Sequence, residues 1–395
     1  MWIIFSYVLR ELLKVFLITL GGMTVLMLIV GVGQEAVRQG LGPEPILKLV
    51  PYAVPNALRF AIPGTMLFAA CSVFGRMAAD NEIVALKSLG ISPMKVVAPA
   101  LILAFLISLV AVWLNDLAVS WGRHGMQRVV LHSVEQIIYG MLRNQGAYRT
   151  RRFSVSVKQV DQRRLIQPMI SFHSDNDKPP IVLTAQEAEL SLNAQQGTLN
   201  IQMTDGEVTM GDQVTMVFPN TIHHEIPLNE ARHRAGSMTN LAHLPMRFMG
   251  IEIQRQQQAL DQLRQRYAVE ASYALLIGDF ASLSSSEWES RHREIQDADE
   301  RVHRLRTEPW RRWANGFSCL FFVLVGVPLA IQMRNSDLWT TFAVVFLPIL
   351  LVYYPLLVLG VDYAKVGAIP PYSVWIGNLV LGLVGIQLMR KIIRH

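Results

Sequence analysis

The stretch VVAPALILAFLISLVAVWLN, Val96–Asn115, runs for twenty residues without a charged side chain. A helix rises about 1.5 Å per residue, so about twenty residues match the roughly 30 Å hydrocarbon core of a bilayer. Leu, Ala, Ile and Val make up most of the stretch, and these side chains have no polar group for water to solvate. The stretch therefore predicts a membrane-spanning helix and classes the chain with membrane proteins.

Five further runs have the length and apolar content of a spanning helix. The six predicted spans are Val15–Gly33, Asn56–Phe74, Val96–Asn115, Asn315–Gln332, Trp339–Leu359 and Tyr372–Met389. Three precede residue 120 and three follow residue 310, which predicts two transmembrane halves separated by a large insertion. Charged residues form 17% of the chain, against about 25% in soluble globular domains, and this low value agrees with a membrane protein.

Lysines and arginines of the short loops predict the orientation, because cytoplasmic loops are enriched in both. With the N-terminus inside, the bases of the cytoplasmic segments are Arg10, Lys14, Arg76, Lys87, Lys95, Arg334, Arg390, Lys391 and Arg394. The short outer loops carry only Arg38, Lys48 and Lys365. We therefore expect both termini in the cytoplasm and the insertion outside it. The same bias accounts for the net charge of +6, so no nucleic-acid binding is predicted.

The insertion begins with an amphipathic helical pattern over Leu117–Leu142 and then changes period. Phe153–Val157 alternates strictly between apolar and polar residues, as a half-buried strand does. Asp205-Gly206 is predicted as a turn between two of the following strands. Those strands are predicted at Leu165–Phe172, Ile181–Leu192, Thr198–Met203, Glu207–Met210 and Val214–Phe218. Short strands at this spacing predict a β-sandwich or jelly roll.

Helical periodicity returns from about Pro245. Ile251–Leu276 predicts one helix, and the capping-box sequence Ser284-Ser-Ser-Glu287 opens a second that extends to about Arg306. The two predict a charged, solvated helical hairpin. The predicted class is an α+β membrane protein with four domains. These are a first transmembrane half (1–116), an amphipathic connector with a β-jelly-roll-like domain (117–245), the hairpin (246–312) and a second transmembrane half (313–395). The first half includes a cytoplasmic helix at about 80–90.

Catalytic signatures are missing from the chain. It contains no G-x-x-x-x-G-K-[ST] phosphate loop, no G-x-S-x-G elbow and no H-E-x-x-H motif, so we expect neither an enzymatic site nor a bound cofactor. His223-His224-Glu225 starts like a metal motif but continues with Ile226, and we interpret it as a surface turn beside a strand; no metal site is predicted. Cys71 and Cys319 lie in apolar runs and are predicted to be buried.

The loop between the second and third spans predicts a short capped helix. Asp80 or Asn81 can cap its start, Glu82 falls in the first turn, where negative charge is favoured, and Gly90 can end it in the left-handed conformation. A short helix on the cytoplasmic face suits docking into a groove of a partner. A helix lying on the bilayer surface explains the same pattern equally well, and the residues alone leave both open.

Glu82-Ile83 followed by Gly90-Ile91-Ser92, between a second and a third span, resembles the LptF/LptG permeases of the lipopolysaccharide exporter. The order of parts is similar too: three spans, an amphipathic connector, a periplasmic jelly roll and three spans. The opening Tyr7-Val-Leu-Arg10-Glu11 and the Pro370-Pro371 pair before the last span also resemble the family. The predicted hairpin, Met249–Pro309, is longer than the connector usual in that family.

The resemblance implies a permease subunit of an ABC-type lipid exporter in the bacterial inner membrane. The implied partners are a paralogous six-span subunit, a cytoplasmic P-loop ATPase dimer that uses the ATP, and a periplasmic bridge protein of jelly-roll folds. The implied cargo is lipopolysaccharide or a similar amphiphile. In the family an acidic residue at the start of the coupling helix contacts the ATPase, and Glu82 is the matching position. The candidate docking residues are Glu82, Ile83, Leu86, Lys87 and Gly90.

An exporter of this kind needs an apolar slot, because exposing acyl chains to water costs about 0.8 kcal/mol per CH₂. Candidate lining residues are Phe153, Val155, Val157, Ile170, Phe172, Leu199, Ile201 and Met203. The alternative is that these side chains simply fill the core of the β domain. Candidates for binding anionic head groups are Arg123, Arg128, Arg311 and Arg312, with ordinary anchoring at the membrane surface as the alternative.

A second function class also fits the sequence: a non-transporting membrane scaffold whose β domain and hairpin recruit periplasmic proteins. The variant Glu82→Arg separates the two classes, since a permease needs this helix to bind an ATPase and a scaffold does not. A membrane enzyme acting on lipids is a third class, disfavoured by the absence of a catalytic constellation.

Overall fold

A computed structural model describes residues 2–39, 43–122, 125, 139, 142–143, 146–149, 153–161, 164–172, 181–193, 198–210, 214–218, 221–227, 244–283, 285–334 and 336–394. The protein is mostly helical and carries a smaller antiparallel sheet. It divides into two compact units. The helical unit comprises Met1–Met27, Val54–Ser120 and Asn240–His395, and the sheet unit comprises Leu28–Ala53 and Trp121–Thr239.

The helices are α1 (Trp2–Gln39), α2 (Pro43–Ala79), α3 (Glu82–Ser88), α4 (Pro93–Leu117), α5 (Met246–Ile277), α6 (Phe280–Leu283), α7 (Ser286–Gln332), α8 (Leu338–Pro348), α9 (Tyr354–Val366) and α10 (Ile376–Arg394). A π-helical turn, Ile349–Tyr353, joins α8 to α9, another extends α4 over Ala118–Gly122, and a 3₁₀ turn, Pro371–Trp375, precedes α10. Six segments of the described chain are long and apolar enough to cross a membrane, and each contains one predicted span, which confirms that prediction.

Helix α7 continues from the hairpin into the fourth predicted span as one helix of 47 residues. The predicted end near Arg306 is therefore corrected. Pro309 lies inside the helix and has no N–H to donate, but a single proline removes one backbone hydrogen bond, and a helix packed on several sides tolerates that loss. Ser285 caps the start by accepting a hydrogen bond from the Trp288 N–H at 3.3 Å, one residue later than the predicted capping box.

Helices α4 and α7 run antiparallel and in contact. Three pairs, four residues apart along each helix, make the contact: Arg312 with Asp116, Gly316 with Val112 and Leu320 with Ser108. The Leu320 N–H donates to Ser108 Oγ at 3.2 Å. At Gly316 an added Cβ would lie 2.8 Å from the backbone nitrogen of Val112, so only glycine allows this approach. The spacing keeps all three pairs on one face of each helix.

The core of the helical unit is continuous across α1, α2, α4, α7 and the last helices. Cys71 and Cys319 are both fully buried in it, which confirms the prediction that they act as small apolar side chains. Helix α7 is central, because it packs against α4, α5, α9 and α10. The hairpin thus shares its second helix with the membrane-spanning bundle.

Nine strands of the described chain form one antiparallel sheet: β1 (Ala147–Arg149), β2 (Phe153–Ser156), β3 (Gln159–Asp161), β4 (Arg164–Ile166), β5 (Met169–Phe172), β6 (Ile181–Asn193), β7 (Thr198–Met210), β8 (Val214–Phe218) and β9 (Ile222–Pro227). Strands β4 and β5 pair with successive parts of one edge of β6, and β7 pairs with its other edge and with β8 and β9. The structure therefore contains an antiparallel sheet, and closure of this sheet into a jelly roll stays a prediction.

Two predicted boundaries in the sheet are corrected. The single strand predicted over Leu165–Phe172 is divided at Gln167, which has a φ of 49°. The turn predicted at Asp205-Gly206 is instead a local interruption inside β7: Asp205 has a φ of 51°, and Asp205 and the opposing Gln186 are both skipped in the pairing with β6, although the register is the same on either side. An added Cβ at Gly206 would collide with the Thr184 carbonyl oxygen, so glycine is required there. A residue with positive φ can bend a strand without ending it.

Three strands, β1, β3 and β9, were not predicted. The first two have three residues each and give too few alternations for a periodic signal. Strand β9 contains His223-His224-Glu225, so the interpretation of that segment as a turn is corrected. The amphipathic connector predicted over Leu117–Leu142 falls mainly outside the described residues.

Candidate functional site

Helix α3 ends in a Schellman motif. The N–H groups of Gly90 and Ile91 donate to the carbonyls of Lys87 and Leu86 at 2.9 and 3.1 Å. Gly90 has a φ of 78°, which confirms the predicted left-handed end. At the start, Asn81 also has a positive φ, 56°, and its side chain makes no capping hydrogen bond, so the predicted side-chain cap is corrected.

Packing decides which residues of α3 are available to a partner. Ile83 is buried in the core of the helical unit and Leu86 packs against that core. Val84 and Leu89 are exposed, at 53% and 76%, and Lys87 is exposed beside them. Two of the five predicted docking residues thus hold the helix in place, and sequence reasoning missed the outward apolar pair. The helical period places Val84 and Leu89 off the face that carries Ile83, but it does not say which face is buried.

Helix α3 leads directly into α4. Ile91 packs against the core and Pro93 opens α4, a position where its missing N–H costs nothing. Helix α4 has 25 residues, so it extends about 37 Å, enough to cross the hydrocarbon region. The connection between α3 and α4 is therefore short and packed against the core.

The candidate lining residues lie on β2, β5 and β7 of the sheet, except Val157, which follows the last residue of β2. Val155 is paired with Ile170 across β2 and β5. Five of the eight side chains are buried in the core of the sheet unit: Val155, Val157, Ile170, Ile201 and Met203. Phe153, Phe172 and Leu199 occupy strand positions, but their side chains lie outside the described part. The buried five fill the sheet core in this conformation, as the alternative reading expects, and a lipid-lining role stays a prediction.

The four candidate head-group arginines have different surroundings. Arg123 and Arg128 lie outside the described residues. Arg311 is half-buried, and its Nη2 lies 2.6 Å from Glu308 Oε2. Arg312 is 1% exposed and is ion paired with Asp116, with its Nε 4.0 Å from Glu308 Oε2. Arg312 therefore acts inside the protein in this conformation, and of the described pair only Arg311 is accessible to a head group.

Sequence reasoning missed the role of Asp116 at the end of the third span. Asp116 Oδ1 accepts hydrogen bonds from the guanidinium of Arg312 and from the backbone N–H of Met246 at 2.9 Å. Trp113, Trp310 and Trp313 are exposed at the same level of the bundle. Exposed tryptophans are typical of the boundary between lipid and water, which predicts that the ion pair lies at one membrane surface.

The family profile described as "Lipopolysaccharide export system permease LptF/LptG" matches residues 6–391. No curated protein matches the chain. The matched range includes α3, the sheet, the hairpin and all six predicted spans. The part of the chain that the structure describes holds no group of three His, Cys, Asp or Glu side chains placed to bind a metal ion.

Proposed function

This chain belongs to the LptF/LptG family of lipopolysaccharide export permeases, and from that premise we propose that it is one of two paralogous subunits of an ABC-type exporter. Permeases of this family are transport components of the inner membrane, not enzymes. In the proposal the chain removes lipopolysaccharide or a similar amphiphile from that membrane and passes it to a periplasmic jelly-roll bridge. Separate P-loop ATPase subunits use the ATP.

The observation that carries the proposal is the uneven burial of the six spans. In the most apolar stretch of the first, Trp2–Gln34, 17% of residues are buried, and in the fifth, Leu338–Val366, 22%. The other four range from 44% to 61%. Lipid tails are as apolar as leucine, so two open spans can accept either a lipid or another subunit at little cost. This supports a chain that completes a lipid path together with a second permease subunit.

Energy is proposed to enter through α3. We assign both termini and α3 to the cytoplasm and the sheet unit to the periplasm, following the distribution of lysine and arginine. The surface offered to an ATPase comprises Glu82 in the first turn, Lys87, and the exposed apolar pair Val84 and Leu89. A short amphipathic helix with outward apolar side chains suits a groove on a partner.

The energy source is needed because lipid extraction is costly. At about 0.8 kcal/mol per CH₂, an acyl chain of about a dozen carbons costs roughly 10 kcal/mol to expose to water. The apolar core of the sheet unit offers a place for such chains if the sheet opens, and the predicted lining residues are proposed to form it. Arg311, half-exposed at the membrane surface, is proposed to attract anionic head groups.

Co-purification tests the proposal. The tagged protein is purified in mild detergent and its partners are identified by mass spectrometry, for wild type, Glu82→Arg and Leu89→Asp. Glu207→Arg, the same charge reversal at an exposed position of β7, is the matched control. We expect wild type and the control to retain a paralogous six-span subunit and a P-loop ATPase. Both α3 variants should lose the ATPase about tenfold, equivalent to about 1.4 kcal/mol, and keep the paralogue.

The opposite result supports the scaffold. Wild-type protein that arrives without an ATPase, or with periplasmic proteins alone, contradicts the permease proposal. If Glu82→Arg and Leu89→Asp retain the ATPase, the permease proposal stands, but α3 is excluded as the site where the ATPase docks. Ile83→Ala separates docking from folding, because Ile83 is buried and its truncation destabilises the protein without changing the outer face of α3.

A further inference from the structure

The first turns of α5 carry two exposed apolar side chains where the hairpin meets the end of the third predicted span. Phe248 is 46% exposed and Ile251 is 68% exposed. Met246, the first residue of α5, donates its backbone N–H to Asp116 in the last turn of α4 at 2.9 Å. Because a helix rises about 1.5 Å per residue, Phe248 lies about 3 Å and Ile251 about 7.5 Å beyond Met246. Both apolar side chains therefore lie close to the end of the span.

Exposed aromatic side chains lie around the same contact. Trp113 lies one turn before Asp116 on α4, and Trp310 lies two residues before Arg312, the ion-pair partner of Asp116, on α7. The rings of Trp310 and Tyr372 meet edge to face, with their centroids 6.4 Å apart. An aromatic belt of this kind is typical of the head-group zone of a bilayer. The belt predicts that the base of the hairpin lies in this zone.

The depth of the head-group zone matches the height of the apolar pair. A bilayer measures about 40–45 Å with its head groups and about 30 Å without them, so each head-group zone is about 5–7 Å deep. Phe248 and Ile251, at about 3 and 7.5 Å beyond Met246, lie within this zone and at its edge. An apolar side chain exposed at this level meets lipid, so the bilayer accounts for the exposure of both.

Phe248 and Ile251 share one face of α5 with two arginines. At about 100° per residue, Arg247, Phe248, Ile251 and Arg255 fall within an arc of about 100° around the helix. Leu260, which is buried, lies on the opposite side of α5. We define the face that comprises Arg247, Phe248, Ile251 and Arg255 as the hairpin foot. It presents an apolar pair together with two cations.

The charges of the hairpin foot are not neutralised within the protein. Arg247 and Arg255 are exposed, and neither forms an ion pair in the part of the chain that the structure describes. Residues 246–260 contain one acid, Glu252, which accepts a hydrogen bond from Gln256 Nε2 at 2.8 Å. The foot is therefore a cationic surface, and an anionic partner complements it.

The direction of α5 brings both cations towards the lipid. In an α-helix the Cα–Cβ bonds tilt towards the N-terminus, which in α5 is the end at the span. Arg255, whose Cα lies about 14 Å beyond Met246, is therefore directed back towards the head groups. The guanidinium carbon of Arg247 lies 4.6 Å from the centre of the Phe248 ring, at the level of the belt. Guanidinium groups bind phosphate oxygens through paired hydrogen bonds.

We propose that the hairpin foot binds the bilayer surface, with Phe248 and Ile251 in the head-group zone and with Arg247 and Arg255 bound to the phosphates of anionic phospholipids. The inference depends neither on lipid export nor on ATPase docking at α3. It rests on the proposed orientation only for the leaflet that is bound, which is the periplasmic one.

Fluorescence quenching in vesicles of phosphatidylcholine and phosphatidylglycerol tests the position of the foot. The full chain, with its two buried cysteines replaced by alanine, carries a bimane fluorophore at Phe248→Cys, Ile251→Cys or Gln265→Cys. Gln265 is exposed in the same direction but lies about 28 Å beyond Met246, so it is the matched control. We expect a phospholipid with a nitroxide on its head group to quench the first two labels at least threefold more than the third. Aqueous iodide should quench the third label most.

Two outcomes overturn the proposal. If iodide quenches the labels at Phe248 and Ile251 as strongly as the label at Gln265, the foot lies in water. If the first two labels are protected from both the lipid nitroxide and iodide, protein covers the foot. All three labelled chains share the cysteine replacements, so these replacements do not account for a difference between positions.

A second measurement tests the arginines. With the label at Ile251→Cys, head-group-labelled phosphatidylglycerol should quench several-fold more strongly than head-group-labelled phosphatidylcholine at the same mole fraction. The reason is that each basic side chain near a lipid surface favours anionic lipid about fivefold. Arg247→Gln combined with Arg255→Gln should make the two lipids quench equally. Arg266→Gln, which removes an exposed charge about 30 Å beyond Met246, should leave the preference unchanged.

The arginine assignment fails if wild type shows no preference for phosphatidylglycerol or if the preference survives the double substitution. Lipopolysaccharide is absent from these vesicles, so a positive result identifies phospholipid as the bound species. Neither result affects ATPase co-purification, so the two proposals fail separately.

Discussion

Asp116 and Arg312 are 196 positions apart in the chain and form an ion pair at which three helices meet. Asp116 lies in the last turn of α4, Arg312 lies within α7, and the N–H of Met246 at the start of α5 donates to the same carboxylate oxygen. The guanidinium is almost fully buried, and a buried charge is tolerated only when it is compensated. The pair therefore fixes the base of the hairpin to the end of the third span.

Removing the charge of Asp116 should destabilise the helical unit. Asp116→Asn keeps an oxygen for the Met246 N–H but takes the carboxylate from a buried guanidinium. Loss of one partner from a buried pair costs about 3–5 kcal/mol, and we expect about 3 kcal/mol because the Asp116 side chain is itself partly exposed. Denaturant unfolding of the purified protein in detergent measures the change.

A double-mutant cycle supplies the control for this prediction. Arg312→Met removes the buried charge, so combining it with Asp116→Asn should recover at least about 1 kcal/mol relative to the sum of the single losses. Strict additivity of the two changes would contradict a direct interaction between the residues.

Gly316 should not accept a side chain. Gly316→Ala places a Cβ 2.8 Å from the Val112 nitrogen and 3.0 Å from its Cα, so α4 and α7 must separate. We expect a loss of about 1–3 kcal/mol in the same unfolding measurement. Val112→Ala removes the nearest obstructing atom, Cγ2, but should restore only part of the loss, because the backbone nitrogen and Cα of Val112 remain in the way. Gly75→Ala, in a helix where a Cβ meets nothing within 4 Å, is the matched control and should be neutral or slightly stabilising. Equal effects at the two glycines would refute the close contact.

The interruption of β7 should depend on the sign of φ at Asp205. Asp205→Gly fits a φ of 51° and should leave the sheet unit intact, whereas Asp205→Val puts a β-branched residue in a left-handed conformation. We expect Asp205→Val to cost about 1–3 kcal/mol. Limited proteolysis of the sheet unit, compared with that of the hairpin in the same sample, measures where the loss occurs. If valine and glycine are tolerated equally, the left-handed conformation at Asp205 is not native.

Tyr267 should respond to alkaline pH. Its hydroxyl donates to the Glu294 carboxylate, and this hydrogen bond raises the pKa of Tyr267 above the ordinary value of 10.0. Because the pKa of Tyr267 is higher in the folded protein than in the unfolded chain, the stabilisation from this hydrogen bond is complete below pH 10.0. It is lost as the pH rises through the higher pKa of the folded protein. The tyrosinate absorbance of wild type minus that of Tyr267→Phe isolates this one group. Its midpoint should lie above 10.0 and should move down in Glu294→Gln; a wild-type midpoint at or below 10.0 would disprove the hydrogen bond.

The sequence pattern was sufficient to predict the structure wherever interactions between neighbouring residues determine it. The spans follow from matching apolar length to the thickness of the hydrocarbon, and the left-handed end of α3 follows from Gly90, because both need only neighbouring residues. The same reasoning failed at Asp205-Gly206, where the residue types of a turn serve equally at a local interruption within a continuous strand. It also failed at Arg306, because whether a helix continues past Pro309 depends on what packs around it.

Length, apolar content and short motifs determined by themselves that this chain is a six-span membrane protein with an inserted sheet and a long hairpin. Tertiary structure alone decided that Asp116 is the partner of Arg312 and that Val84 and Leu89, not Ile83, face outward from α3. It also decided that Phe248 and Ile251 remain exposed at the base of the hairpin. The reason is physical: a period shows that a helix has an apolar face, but only packing between distant segments determines which face is buried and which charges meet.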